Sequence, residues 1–387
     1  MTMPPGYHRP WLHRQARSTG APLAVLIVLG IIAGIFALIS GVKDPAGLVI
    51  ALPCTAAAMA VVIGYFLWLD RWEPEPTRLL LLAFLWGATV AVAVSLVLEL
   101  ATSEVLGNGA VLTIGAPAVE EAAKGAFLLV MLTGARRREF DGVVDGIVYA
   151  GFTAVGFAFI EDVGYVAQSF GKGTDTGLAT IVLRLVISPF AHPLFTAMTG
   201  IGVGLAVSLP RSAKTWLYPL LGYCAAVALH ALWNGSLNFG FAAYLLVYVL
   251  IMIPTFIGAA LFARRQRQRE REIVNAQLPA MVYYRWVTPA EAGWLGSIAA
   301  RRLWRRSVAA RTGQAGAKAL RDFQTTATEL AFLRDRVQRG AGPKDAYYLH
   351  ADLVDALARD RAMALAPLNR HAPPVTPVRP VPPAFQR

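Results

Sequence analysis

Apolar segments of about twenty residues recur through the first two thirds of the chain, at roughly 22–40, 47–69, 79–100, 110–132, 142–168, 178–209, 216–237 and 241–263, each bounded by charged or turn residues. A helix of that length crosses a hydrocarbon layer about 30 Å thick. In lipid every backbone polar group must be satisfied internally, which leaves helices and closed barrels as the spanning structures. The pattern therefore predicts an all-α, polytopic transmembrane helix bundle of about eight spans. Composition agrees: the 387 residues are 56% hydrophobic and only 16% charged, against about 25% charged for soluble domains.

Loop charge predicts the orientation. The connectors Arg71 to Arg78, Arg136 to Arg138 and Arg211 to Lys214 carry basic residues, as do both chain ends, whereas Gly41 to Ala46, Thr102 to Gly109, Ser169 to Gly177 and Asn238 to Gly240 carry at most one Lys each. The strict alternation satisfies the positive-inside rule with both termini cytosolic, as expected of a multi-pass protein of the cell (plasma) membrane. The stretch from Pro22 to Ile39 is read as a first transmembrane helix, because it is long enough to span and no small-residue cleavage site follows it. The segment 178–209 is too long for one straight span and contains Arg184, Pro189 and Pro193. A kinked or broken helix is expected there, its freed backbone groups needing a polar cavity or a neighbouring helix.

Four regions follow: a basic cytosolic arm 1–21, a membrane core 22–263, a cytosolic helical region 264–366, and a proline-rich tail 367–387 expected to be disordered. Within the third region Thr288-Pro-Ala-Glu291 reads as a capping box with Pro at the first helical position. Leu320, Phe323, Ala327, Leu330 and Val337 fall on one helical stripe. Arg301, Arg302, Arg305 and Arg306 around Trp304 either rest on anionic headgroups or form a solvated helix face. The net charge of +12 gathers in the arm, a few loops and this region, which suits anionic lipid better than nucleic acid. Cys54 and Cys224 both lie in apolar segments, so neither a disulfide framework nor a thiolate zinc site is expected.

Polar residues inside four successive spans carry the functional signal. Glu120 and Glu121 sit side by side in an apolar stretch, with Lys124 one turn on. Carboxylates in hydrocarbon are costly and persist when paired and turned toward protein or water. At ~1.5 Å per residue, Glu120 and Glu161 lie roughly 10–15 Å below the outer boundary. Glu161 follows Phe157 by one turn, with Asp162 expected nearer the water. Asp145, near the cytosolic start of the same helix, reads as a cap or a partner for a loop Arg. His192 lies between two prolines, and His230 and Asn234 share a helix face. Lys124 can neutralise only one of its two acids, so the other shares a proton, binds a cation or acts as a base. A purely structural brace is the bland alternative.

Carboxylates and imidazoles suit zinc, so metal-assisted hydrolysis with Glu121, Glu161, His192 and His230 as the donor set is one expectation. A metal-free route keeps Glu120 or Glu121 as the base for water, with His and Asn donating to the oxyanion. The usual metalloprotease helix H-E-x-x-H is absent.

E-E-x-x-K at Glu120, Glu121 and Lys124, F-x-x-x-E at Phe157 and Glu161, the S-P-x-x-H context of His192 and H-x-x-W-N at His230 to Asn234 resemble the PrsW family of intramembrane proteases, within the wider group of the CAAX-prenyl endopeptidases. The likeness runs from about Leu48 to Ala263. It implies hydrolysis of a peptide bond in a membrane-embedded protein substrate, anti-sigma factors being substrates of PrsW-type members. By position, Glu120 and Glu121 would hold or activate water, Glu161 and His192 would complete the hydrolytic or metal site, and His230 with Asn234 would stabilise the oxyanion. CAAX-type relatives differ, with Arg after the paired acids and His where this chain has Glu161. The same buried acids and histidines also fit a proton- or cation-coupled transporter, although no repeated half with interrupted helices supports one. A third alternative is a non-catalytic membrane scaffold whose basic tail recruits a partner.

Overall fold

The computed structural model describes residues 45–106, 111–210 and 212–366. The N-terminal arm, the expected span 22–40 and the proline-rich tail lie outside the described residues. All regular structure among the described residues is helical. The chain divides into two compact units that meet in sequence between Arg267 and Gln268.

In the first unit, α1 (Pro45–Leu69) is followed by α2 (Thr77–Leu85), which runs through a π-helical stretch (Trp86–Ala91) into α3 (Val92–Leu106). Next come α4 (Ala116–Met131), α5 (Val143–Phe170), α6 (Thr174–Thr180) with its π-helical continuation (Ile181–Ile187), α7 (Ala191–Ser208), α8 (Leu217–Ser236) and α9 (Phe241–Val247). A further π-helical stretch leads into α10 (Ile253–Tyr283), whose residues from Gln268 onward belong to the second unit. Six helical stretches among the described residues are long and apolar enough to cross a membrane: Gly47–Leu69, Thr77–Ala101, Val143–Phe170, Thr174–Ser208, Lys214–Phe239 and Phe241–Tyr283. Helix α4 is shorter, with 16 residues, and carries Glu120, Glu121 and Lys124.

Helix α5 is the hub. Its apolar window is 89% buried, against 6% for the window within Phe241–Tyr283, so side chains of α5 meet protein where those of the last span meet the surroundings. Glycines permit the close approach. A Cβ on Gly146 would collide with the backbone carbonyl of Gly200 on α7, and one on Gly156 with that of Phe84 on α2. Small residues at such crossings let membrane helices pack by direct backbone contact. Of the two alternatives for Asp145, the structure takes the cap, its Oδ2 accepting from the backbone N–H groups of Asp141 (2.7 Å) and Gly142 (2.8 Å).

The segment expected to break does so at Ser188, whose φ of −125° and ψ of 35° leave the helical region. The freed carbonyls find partners: Ser188 Oγ donates to Leu183 O at 2.6 Å, and Tyr248 OH donates to Ile187 O at 2.8 Å. The hydroxyl of a neighbouring helix supplies what the proline-flanked turn takes away.

In the second unit, α11 (Pro289–Leu295), α12 (Ile298–Gln338) and α13 (Ala346–Leu365) pack around a small core. The capping box forms as read from the sequence: Thr288 Oγ1 accepts from Glu291 N (3.2 Å) and Glu291 Oε2 from Thr288 N (2.7 Å). Leu320, Phe323, Ala327 and Leu330 are buried along α12 and Val337 is half-buried. Helix α12 kinks at Gly313, where φ is +73°. The arginine cluster divides. Arg302 and Arg306 are exposed, whereas Arg301 is buried, its Nε donating to Leu295 O and its Nη1 to Thr328 Oγ1, both at 2.8 Å. Position 301 lies on a buried face of α12, so that side chain does not lie on headgroups.

Candidate metal and catalytic centre

Helix α4 is pinned on both sides of its charged turn. Trp86 Nε1–H donates to Ala123 O and Tyr223 OH to Ala118 O, each at 2.9 Å. Those anchors fix Glu120, Glu121 and Lys124 opposite α5, α7 and α8. Lys124 is fully buried, and its Nζ lies 2.7 Å from Glu121 Oε1, 3.4 Å from Glu120 Oε2 and 3.3 Å from His192 Nδ1. The ring of Phe157 lies beneath it, with Nζ 4.2 Å from the centroid. The aromatic residue of F-x-x-x-E thus supports the ammonium of another helix, an interaction that strengthens when both groups are desolvated.

The adjacent acids have different surroundings. Glu121 has both oxygens engaged: Oε1 faces Lys124 and His230 Nδ1 (3.0 Å), and Oε2 accepts from Thr196 Oγ1 (2.8 Å). Glu120 is less saturated, with Lys124 and, at 3.8 Å, His230 Nε2 facing its Oε2. A His230 that gives its Nδ1–H to Glu121 turns the Nε2 lone pair toward Glu120. His192 repeats the arrangement: its Nε2 lies 2.5 Å from Glu161 Oε2 and its Nδ1 faces inward toward Lys124. The two imidazoles meet edge to face with centroids 5.0 Å apart, and Phe195 stacks on His230 at 4.8 Å.

Glu120, His192 and His230 each offer one donor atom, all three within 4.8 Å of one another. A tetrahedral zinc with bonds near 2.0 Å wants neighbouring donors roughly 3.3 Å apart, inside the 4.8 Å within which these three lie. Formal charge agrees with a divalent guest. Glu120, Glu121, Glu161 and Asp162 are joined by ion pairs to two fixed cations, Lys124 and Arg184. Ionised, that set lacks two positive charges. The residues fit a catalytic metal: three protein donors, each histidine backed by a carboxylate, with room in the shell for water.

Six of the seven residues singled out in the sequence are joined by these contacts. Asn234 follows His230 by one turn on α8 and is half-buried. In the donor cluster Glu120 occupies the place expected for Glu121, and Glu161 stands behind His192. Asp162, expected nearer water, has a side chain 5% exposed against 24% for Glu161, because it turns onto Arg184 Nε at 2.5 Å. Two contributors were not among the candidate site residues read from the sequence. Thr196 lies one turn after His192, on the same face of α7, and Arg184 is an isolated cation inside an apolar segment.

A family model described as PrsW family intramembrane metalloprotease matches residues 75–259, a span that contains all seven residues. Among curated proteins the chain is similar to Protease PrsW of Bacillus subtilis (strain 168), 23% identical over 220 residues, covering 56% of this chain and 94% of that one. It is 28% identical over 207 residues to Protease PrsW of Clostridioides difficile (strain 630), covering 51% and 84%. Protease PrsW of Oceanobacillus iheyensis is 31% identical over 140 residues, covering 36% and 60%. No solved structure matches. Residues 75–259, the helical membrane core of this chain, match the PrsW family of intramembrane metalloproteases and align with curated PrsW proteases.

Proposed function

We propose that the protein hydrolyses a peptide bond of a membrane-embedded protein at the Glu/His centre, with zinc held by Glu120, His192 and His230. The observation that carries this reading is the convergence of three donors from three helices, each histidine backed by a carboxylate. Bound zinc acts as a Lewis acid and makes water a better nucleophile at neutral pH. The chain's own residues do the remainder. Glu121 and Glu161 fix the tautomers and ring orientations of His230 and His192. Lys124 keeps the adjacent acids from repelling one another. Glu120 and Glu121 hold or activate the water, and Glu161 completes the hydrolytic site from behind His192. Asn234 donates to the developing oxyanion.

The finer assignments belong to the same proposal. The topology is about eight spans, adding 22–40 and the segment around α4 to the six apolar ones, with both termini cytosolic in the plasma membrane. The regions 1–21, 22–263, 264–366 and 367–387 keep the roles read from the sequence. Substrates include anti-sigma-factor-like membrane proteins, and the exposed Arg302 and Arg306 meet anionic lipid. The test is cleavage of a transmembrane reporter in proteoliposomes. Glu121→Ala is expected to insert normally and to cleave nothing. Normal cleavage by that variant overturns the proposal.

A further inference from the structure

Arg184 lies on the π-helical stretch just before the break at Ser188, inside an apolar segment with Val182 and Val186 exposed on either side of it. An arginine at that depth is costly and is usually retained for function. Its guanidinium makes three different contacts. Nη2 lies 3.1 Å from Glu161 Oε2, Nε lies 2.5 Å from Asp162 Oδ1, and the plane stacks over Tyr165 with its centre 4.2 Å from the ring centroid. The planar fork reaches two successive carboxylates while its face covers an aromatic ring, which a lysine ammonium cannot do at once.

Glu161 is the carboxylate behind His192. Its Oε2 is buried and lies between Arg184 Nη2 at 3.1 Å and His192 Nε2 at 2.5 Å, so the guanidinium holds the carboxylate against the imidazole. The other histidine has the same layering: Lys124 holds Glu121, and Glu121 holds His230. On the His192 side the order is Arg184, Glu161, His192. We infer that Arg184 is a positioning residue of the hydrolytic centre, clamping Glu161 against His192 as Lys124 clamps Glu121 against His230. It also ties the short helical stretch before Ser188 to α5, so the proline-flanked turn that presents His192 is fixed from both ends. This inference rests on the metal-dependent reading of the site.

The test uses the full chain in nanodiscs with zinc as the only added metal, measured by competition with a chromophoric chelator, alongside cleavage of the transmembrane reporter. Arg184→Gln is expected to weaken zinc binding about 10- to 100-fold, the range for partners behind a ligand, and to lower kcat with KM unchanged. Arg184→Lys keeps the charge without the fork and is expected to fall between the two. If Arg184 acts through Glu161, the double variant Arg184→Gln with Glu161→Gln is no worse than Glu161→Gln alone, because residues in one network are not additive. Unchanged zinc affinity in a folded Arg184→Gln, or fully additive losses in the double variant, overturns the inference while the wild type still binds zinc and cleaves. A wild type that does neither sinks the proteolytic reading and this inference with it.

Discussion

Lys124 and Arg184 lie in the membrane unit against carboxylates that in turn face imidazoles, whereas Arg301 and Arg334 in the C-terminal unit lie against neutral acceptors and rings. Arg301 donates to the Leu295 carbonyl and the Thr328 hydroxyl. Arg334 donates to Gln277 Oε1 at 3.0 Å and faces Trp286, with its guanidinium 5.3 Å from the ring centroid. Burial lowers both guanidinium pKa values, that of Arg301 to about 9, with Arg305 adding to the effect. Neutral partners hold a cation in place and leave it inert. Chains of opposite charge ending on two histidines turn one ring nitrogen of each toward the Glu120–Lys124 turn. The contrast separates buried charge that supports a fold from buried charge arranged for chemistry.

The strongest way to break this contrast is Lys124→Met. It leaves two adjacent buried acids without their shared cation, and losing one partner of a buried pair costs about 3–5 kcal/mol. Cleavage should vanish and denaturant unfolding in detergent should shift by that amount. A stable, active Lys124→Met would remove the distinction between the units. Thr196→Val is a gentler probe: it deletes one donor to Glu121 Oε2, an interaction with a charged group worth about 1.5–3 kcal/mol. A cleavage rate at least tenfold lower in the reporter assay is expected.

Arg301→Met sharpens the other side of the comparison. It should cost the C-terminal unit about 1–3 kcal/mol, since buried acceptors lose their donor, and leave reporter cleavage within about twofold of wild type. The last probe is pH itself, through His350, which packs 5.4 Å from Trp286. Burial, then the nearby Arg334, lowers its pKa from 6.5 to about 4. As pH falls from 6.5 toward 4 the unfolded chain takes up a proton that the folded unit refuses. Stability present above pH 6.5 is therefore lost through that window, at up to about 1.4 kcal/mol per pH unit. Tryptophan fluorescence during unfolding should report this slope, and His350→Phe should flatten it.

Much of this was legible in the chain itself. The apolar periodicity and loop charges marked the helical membrane unit, the prolines around His192 marked the break at Ser188, and the Thr288 capping box formed as expected. The four motifs brought out six residues that the fold joins by direct contact. The division of labour between Glu120 and Glu121 was not legible. Both are one turn from Lys124 in sequence, and only the packing of α7 and α8 decides which one Thr196 and His230 engage. Arg184 was visible as an intrusion in an apolar segment, but its partners lie 22 and 23 residues earlier on another helix, beyond any local spacing rule. Arg301 failed in the opposite sense: a run of arginines looked like one surface, and helical rotation buried one of them.

Metal content of the detergent-purified protein, counted per chain by mass spectrometry under non-chelating conditions, tests the central claim most directly. The account predicts close to one zinc per chain in wild type and in Arg301→Met, and loss of it in Glu120→Gln and His192→Ala. A wild type without metal, or equal metal in all four proteins, would contradict it.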